Sequence, residues 1–177
     1  DALPICNILK SAGAVLGKQT VINYVGYMMD SYMLFTLQNY AAKLVEKETS
    51  PKYYFMDTGL LGLMLMDCSS AQLENLVAIE LIRRYGRENV FYFEKNVEID
   101  FYVPEEKLAI QVSLQVLDQI DTREREIGAF VKLKNFIGDA TCLLITNSEE
   151  EELDYEGVHV SVVPVWKWLL QNRKQDI

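Results

Sequence analysis

The chain has 177 residues, half of them apolar, and a formal net charge of −9. This length accommodates one domain, or one domain with a small accessory unit, and it is enough to bury a hydrophobic core. The sequence therefore predicts a globular protein, and its acidic balance disfavours tight nonspecific binding of nucleic acid by the larger part of the chain.

Several features that the sequence lacks limit the compartment in which the protein is expected and the kind of enzyme it could be. No apolar run approaches the roughly 18 residues of a membrane-spanning helix, and no secretory leader pattern is present. We therefore expect a cytoplasmic protein with no membrane partner. Cys6, Cys68 and Cys142 form no CxxC pair and are expected to be reduced core thiols. The single histidine, His159, lies in an alternating strand pattern, which disfavours Ser-His-Asp and zinc enzymes.

The first 58 residues follow the element order of a partial winged-helix unit. A short helical segment is predicted from Leu3 to about Ala14, and apolar residues recur at helical spacing after "KQT". The stretches "MLFTLQNYA" and "YYFMDTG" predict two strands joined by a turn rich in Lys and Glu. Residues 1–52 hold five lysines and four acids, a net charge of +1, whereas the remainder carries −10.

A DNA-binding role for residues 1–58 would use the exposed face of the second helix and the lysines of the wing. The residues expected there are Lys18, Gln19, Thr20, Asn23, Lys43, Lys47 and Lys52. Winged helices also dock proteins. Because this segment is nearly neutral, DNA binding and protein docking both stay open.

Residues 59–177 predict an α/β domain. "SSAQLENLVAIELIRRYG" predicts an amphipathic helix ending at Gly86, and three strands follow in "NVFYFEK", "VEIDFYV" and "LAIQVSLQV". A helix through "TREREIGAFVKLKNF", strands "TCLLIT" and "VHVSVVPV", and a last helix "VWKWLLQN" complete the order. The acidic run "EEEELDYE" is expected to be a solvated loop. The predicted fold is a mixed sheet flanked by helices.

These elements together resemble the C-terminal region of bacterial and archaeal AAA-type ATPases. In that family an ATPase module precedes a winged helix and an uncharacterised domain with a restriction-endonuclease-like fold. The motifs that carry the resemblance are "TVINYVGYMMDSYMLFTL", "KYYFMDTGLLG", "LENLVAIELIRRYG", "VFYFEKNVEIDFYV", and "LAIQVSLQV" with "TREREIGAF". The resemblance implies a restriction-endonuclease-like fold for residues 59–177. It also implies a partner, the ATPase module of the same full-length protein.

ATP is expected to bind only in that N-terminal module, which this chain lacks. The segment "GAVLGK" is similar to a phosphate-binding loop but has three residues between its glycines instead of four. Gln19 follows its lysine, where a Ser or Thr would contact magnesium. No cofactor is therefore expected in this chain apart from weakly bound magnesium.

The resemblance also implies a degenerate nuclease site. In nucleases of this fold an Asp and a Glu on adjacent strands hold a divalent metal, and a Lys two residues after the Glu stabilises the transition state. Matched to this pattern, Glu74 is the helix acid, Asp100 the strand Asp, Gln111 the Glu position and Ser113 the Lys position. Only Glu74 and Asp100 keep a charge, so they are the expected metal ligands. Losing one charged donor typically costs on the order of 3–4 kcal/mol in the transition state.

The helix acids also have a structural explanation. Glu74 would then be an acid of the first helical turn favoured by the helix dipole, and Glu80 would pair with Arg83 or Arg84. Two lysines that flank the strand hairpin, Lys95 and Lys107, belong to charged turns and are not expected to replace the missing lysine.

Three functions stay open. The sequence favours a non-catalytic recognition or regulatory region of an AAA-type ATPase that binds DNA or a protein. The first alternative is a weak nuclease dependent on a divalent metal. The second is an oligomerisation or protein-docking unit of the ATPase, which includes a homo-oligomer. Metal-dependent cleavage distinguishes the nuclease, and salt-sensitive DNA affinity distinguishes DNA recognition from docking.

Overall fold

The structure is a computed structural model that describes residues 17–42, 51–64, 69–117 and 120–171. In chain order, the helices and strands are α1 (Lys18–Asp30), β1 (Leu34–Asn39), β2 (Lys52–Phe55), α2 (Gly59–Met64), α3 (Ser69–Tyr85), β3 (Phe91–Glu94), β4 (Glu98–Val103), β5 (Leu108–Val112), α4 (Ile120–Ile137), β6 (Thr141–Thr146), β7 (Glu151–Tyr155), β8 (Val158–Pro164) and α5 (Val165–Leu170).

The described strands form one eight-stranded sheet in the order β2-β1-β3-β4-β5-β6-β8-β7. The sheet is mixed, because β3, β4 and β5 pair antiparallel whereas β5, β6 and β8 pair parallel. The predicted fold class is confirmed: the chain is α/β, with a mixed sheet flanked by helices that is consistent with a restriction-endonuclease-like fold. None of the described helices combines the length and hydrophobicity needed to span a bilayer.

The core lies on both faces of the sheet, as expected for a sheet covered by helices. On one face, Val77 and Leu81 of α3 and Trp168 of α5 pack against buried strand residues. On the other face, Ile127 and Phe130 of α4 pack against the opposite side of the central strands. The positions of α3 and α4 agree with the two helices predicted for these segments.

The hairpin predicted within residues 1–58 is present and extends the sheet. Strands β1 and β2 pair antiparallel, and β1 then joins β3 through a short parallel ladder, Gln38 with Phe91 and Asn39 with Tyr92. Helix α1 precedes the hairpin as predicted. The segment Leu3–Ala14 lies outside the described residues, and the domain boundary at residue 58 stays a prediction.

The end of α3 agrees with the sequence pattern. Gly86 has a φ of 82°, and its N–H donates to the carbonyl of Ile82, so the glycine ends the helix. Glu80 is buried and contacts both Arg83 and Arg84, as expected for i,i+3 and i,i+4 pairs. These contacts confirm the structural explanation of Glu80.

The acidic run near residue 150 differs from the sequence expectation. The acidic run is not a loop, because Glu151–Tyr155 forms the edge strand β7. Its pairing with β8 continues to Tyr155 and Val158, which leaves a two-residue turn of Glu156 and Gly157 with φ values of 47° and 77°. Such a turn matches the twist of a hairpin. Only Leu153 of the strand is buried, so the apolar pattern was too sparse to reveal it.

Two isolated residues behave as expected. Cys142 is a buried free thiol, as predicted for a core cysteine, whereas Cys6 and Cys68 lie outside the described residues.

His159 is exposed and lies between two carboxylates: its Nδ1 is 3.0 Å from Oδ1 of Asp154, and its Nε2 is 3.1 Å from Oε2 of Glu152. It is therefore a surface ion-pair residue of the β7–β8 hairpin.

Candidate functional site

A polar cleft of about 450 Å³ draws side chains from strands β2, β4 and β5 and from helices α3 and α4. Three of the four residues assigned to the nuclease pattern meet in it: Glu74, Asp100 and Gln111. Although α3 and α4 pack on opposite faces of the sheet, Glu74 lines the same cleft as the acids of β4. Glu74, Asp100 and Gln111, which the resemblance assigns to one site, therefore lie together in one cleft.

The side chains of Gln111 and Asp100 each accept a backbone hydrogen bond that links β4 and β5. The Asp100 N–H donates to Oε1 of Gln111 at 2.8 Å, and the Val112 N–H donates to Oδ2 of Asp100 at 2.8 Å. Nε2 of Gln111 donates to the carbonyl of Glu98 at 3.2 Å. The regular ladder of the two strands ends at Phe101 and Ile110. Beyond that point, these side chains supply the bonds that backbone groups would otherwise make.

Two side chains of strand β2, Lys52 and Tyr54, contact acids of the cleft. Because successive strand residues point to opposite sides, Lys52 and Tyr54 share one side of β2. Nζ of Lys52 lies 2.6 Å from Oε1 of Glu98 and 4.0 Å from Oδ1 of Asp100. The Tyr54 hydroxyl donates to Oε1 of Glu74 at 2.8 Å. Each acid that could bind a metal therefore already has a partner from the protein.

The cleft shifts the pKa values of its ionisable groups. Burial, followed by the negative charge of Glu74, raises the pKa of Asp100 to about 7, although Lys52 and the Val112 N–H bond oppose the shift. Burial opposes the charge of Lys52, but its hydrogen bond to Glu98 and the nearby carboxylates outweigh burial and raise the Lys52 pKa. Lys52 therefore stays protonated at neutral pH.

Helix α4 closes the cleft with further charges. Glu126 is buried, and its Oε1 accepts a bond from Nη2 of Arg125 at 2.6 Å. Lys132 follows on the same side of α4 and has an exposed side chain on the rim. Acids and bases thus alternate around the cleft, which makes it a poor site for a phosphate group held by basic residues alone.

The remaining nuclease-like assignments differ from the geometry. Ser113 does not line the cleft, and its hydroxyl donates instead to the carbonyl of Gln115. Because α3 begins at Ser69, Glu74 lies beyond the first turn, so the helix-dipole explanation of this residue is wrong. Lys95 and Lys107 do not line the cleft, which agrees with their expected positions in charged turns.

The structure describes part of the predicted nucleic-acid surface. Gln19 and Asn23 are exposed on α1 and bonded to each other at 3.1 Å, and Thr20 is half-buried. Lys52 lies in the cleft instead of facing outward from the hairpin. The side chain of Lys18 and all of Lys43 and Lys47 lie outside the described residues.

The exposed side of α1 also carries large apolar residues. Tyr24 is 54% exposed and Tyr27 is 63% exposed, and their ring centroids are 6.5 Å apart. Ile22 of the same helix is 42% exposed. Exposed aromatic residues of this kind are common where proteins bind proteins.

The donor set does not fit a divalent metal as it stands. Magnesium requires several oxygen ligands in octahedral geometry. Both polar atoms of Gln111 are committed to backbone groups, and one oxygen of Asp100 accepts the Val112 N–H. Within the ranges that the structure describes, no group of three or more His, Cys, Asp or Glu side chains is arranged to hold a metal ion.

Comparisons with known proteins find similar sequences, but none of the proteins found has a described activity. Residues 5–72 match a family described as a domain of unknown function, DUF8612. An alignment of 176 positions, which covers 94% of this chain, shows 32% identity to the uncharacterized protein MJ1544 of Methanocaldococcus jannaschii. The chain spans 40% of the length of that relative. No solved structure matches the chain.

Sequence reasoning missed the part that β2 and α4 play in the cleft. The sequence pattern places Lys52 in the wing and predicts no role for Tyr54, Arg125 or Glu126. The spacing of Lys52 and Tyr54 could have shown that they share one side of a strand. Their contact with acids of β4 and α3 depends on how the sheet is assembled.

Proposed function

We propose that this chain is a non-catalytic recognition and regulatory region of an AAA-type ATPase, with a degenerate nuclease-like cleft. Two observations support the assignment to a larger protein: the motifs described above, and the similarity to a relative of which this chain spans 40%. The ATPase module of the same full-length protein is the proposed partner. ATP would bind in that module.

The bonding of Gln111 is the observation that carries the non-catalytic assignment. At the position where a nuclease has a metal-binding glutamate, this side chain holds β4 and β5 together through Asp100 and Glu98. A neutral amide that bonds in this way supplies neither the charge nor a free oxygen for a metal. The bonding of Gln111 therefore supports a structural role for this side chain in the cleft.

Cleavage assays test this proposal directly. We expect background cleavage of single-stranded and double-stranded DNA in magnesium or manganese. The control is Asp100→Asn, which keeps an oxygen that can accept the Val112 N–H but removes the charge. Metal-dependent cleavage by the wild-type protein that Asp100→Asn abolishes would refute the non-catalytic role.

A second candidate, the metal-dependent nuclease, is favoured by the position of Lys52. Its ammonium group lies 4.0 Å from Asp100 and could supply the cation that Ser113 lacks. If the protein is a nuclease, Lys52→Met and Asp100→Asn should both abolish cleavage while leaving the protein folded. The exposed Lys107 lies outside the cleft, so Lys107→Met should cleave like the wild type.

The partner that the region recognises is tested through α1. The aromatic residues Tyr24 and Tyr27 favour a protein, whereas Gln19 and Asn23 would contact DNA. Duplex DNA binding is measured at low and moderate salt, because phosphate contacts weaken as salt increases. Binding that is lost in a Gln19→Ala, Asn23→Ala variant supports DNA. Negligible binding at both salt concentrations supports protein docking.

A further inference from the structure

We propose that the Lys52 ammonium group is the resident cation of the cleft and takes the place that a divalent metal has in a nuclease of this form. The inference rests on the non-catalytic function proposed above and explains how the cleft is kept free of metal. In this proposal, strand β2 holds a side-chain cation at the position that a metal ion would occupy.

The contacts of Lys52 place its charge among the acids of the cleft. Nζ lies 2.6 Å from Glu98 and 4.0 Å from Asp100, both on β4. It also lies 5.3 Å from the centroid of the Tyr92 ring, within the range of a cation–π contact. The ammonium group thus has partners on β3 and β4, although its strand lies at the far edge of the sheet.

Tyr54 extends from the same side of β2 as Lys52 and reaches a third acid of the cleft. Its hydroxyl bonds to Glu74 at 2.8 Å, so Lys52 and Tyr54 together engage the acids of both α3 and β4. Asn75 of α3 fixes the end of β2, because its amide accepts the Phe55 N–H at 2.7 Å and donates to the Phe55 carbonyl at 3.0 Å. Strand β2 is therefore held firmly enough to place its lysine at a defined point.

The charges in the cleft explain why one cation excludes another. A divalent ion at Glu98 and Asp100 would lie beside an ammonium group and would be repelled by it. The lysine is covalently attached, so it loses no translational freedom when it occupies the site, whereas a free metal ion does. Removing the ammonium group would take away the ion-pair partner of Glu98 and Asp100 and would free Oε1 of Glu98 and Oδ1 of Asp100 for an incoming metal.

Metal binding by charge-removed variants tests this inference. The variants are Lys52→Met, Lys52→Gln, and Lys52→Met combined with Asp100→Asn, and Lys132→Met is the matched control for a lysine on the rim. Binding of Mn²⁺ is measured by electron paramagnetic resonance. Melting temperatures are compared in MnCl₂ and in KCl of equal ionic strength. For the wild-type protein, NMR spectra record whether Mn²⁺ broadens the signals of Glu98 and Asp100.

We expect no bound Mn²⁺ and no selective broadening in the wild-type protein, and no bound Mn²⁺ in Lys132→Met. The Lys52 variants should bind Mn²⁺ and melt about 5 °C or more higher when the metal concentration is about 100 times its Kd. Asp100→Asn should remove this gain. Selective broadening in the wild-type protein, or a folded Lys52 variant that binds no Mn²⁺, would overturn the inference.

The two proposals fail in different ways. DNA cleavage by the wild-type protein that Asp100→Asn abolishes would refute the non-catalytic function. A wild-type protein without cleavage, together with Lys52 variants that bind no metal, would refute only the role of Lys52. The same purified samples serve for both measurements.

Discussion

Substituting Gln111 measures how much the side-chain bonds of the cleft stabilise the fold. Gln111→Leu removes the acceptor of the Asp100 N–H and the donor to the Glu98 carbonyl. Gln111 is only 5% exposed, so water does not replace either bond in full. Each buried group left unpaired costs about 1–3 kcal/mol. Because the apolar leucine offsets part of this loss, we expect the free energy of unfolding to fall by roughly 2–4 kcal/mol.

The variant Gln111→Glu distinguishes the contributions of these two hydrogen bonds through the pH dependence of its stability. The new carboxylate keeps an acceptor for the Asp100 N–H but cannot donate to the Glu98 carbonyl unless it is protonated. Burial and the neighbouring acids should raise the folded-state pKa of this Glu above its unfolded value. The stability of the variant is then greatest at low pH and falls as the pH rises through the folded-state pKa. We expect a stability close to wild type at about pH 5 and a clear loss at about pH 8.

Urea unfolding followed by tryptophan fluorescence, to which the buried Trp168 contributes, measures both effects. Gln115→Leu is the control, because Gln115 is an exposed glutamine of the same segment. A Gln111→Leu variant within about 0.5 kcal/mol of the wild type would show that these bonds add little. An equal loss at both pH values for Gln111→Glu would refute the argument about the donor.

Three further predictions concern charged residues. The Asp100 pKa, raised by burial to about 7, should make the free energy of unfolding fall between about pH 4 and pH 7, and Asp100→Asn should flatten this profile in urea unfolding. Arg84→Met should cost about 2–4 kcal/mol, because the Arg84 side chain is buried against Glu80 and also donates to the Trp168 carbonyl. The more exposed Arg83→Met should cost less than about 1 kcal/mol, and equal losses would contradict the effect of burial. A hydrogen bond to a β7 carboxylate should hold the His159 pKa above 6.5, and a lower value in an NMR titration would contradict this contact.

Much of the architecture could be predicted because local patterns carry it. The apolar stripe of α3 and the glycine at residue 86 define a helix and its end, since both signals lie within a few residues of each other. The strands around Asp100 and Gln111 follow from short apolar runs with a turn between them. Their pairing as neighbours brings the two side chains together, so the sequence by itself determined the centre of the cleft.

The tertiary structure alone decided how the cleft is neutralised. Lys52 belongs to the strand at the edge of the sheet, yet its ammonium group lies beside Glu98 and Asp100 of β4. Lys52 and Glu98 are 46 positions apart in the sequence and meet because of the order and twist of the strands, with β1 and β3 between β2 and β4. Local periodicity contains no information about that order. In the same way, β7 exists because its backbone pairs with β8, although its own side chains are nearly all solvated.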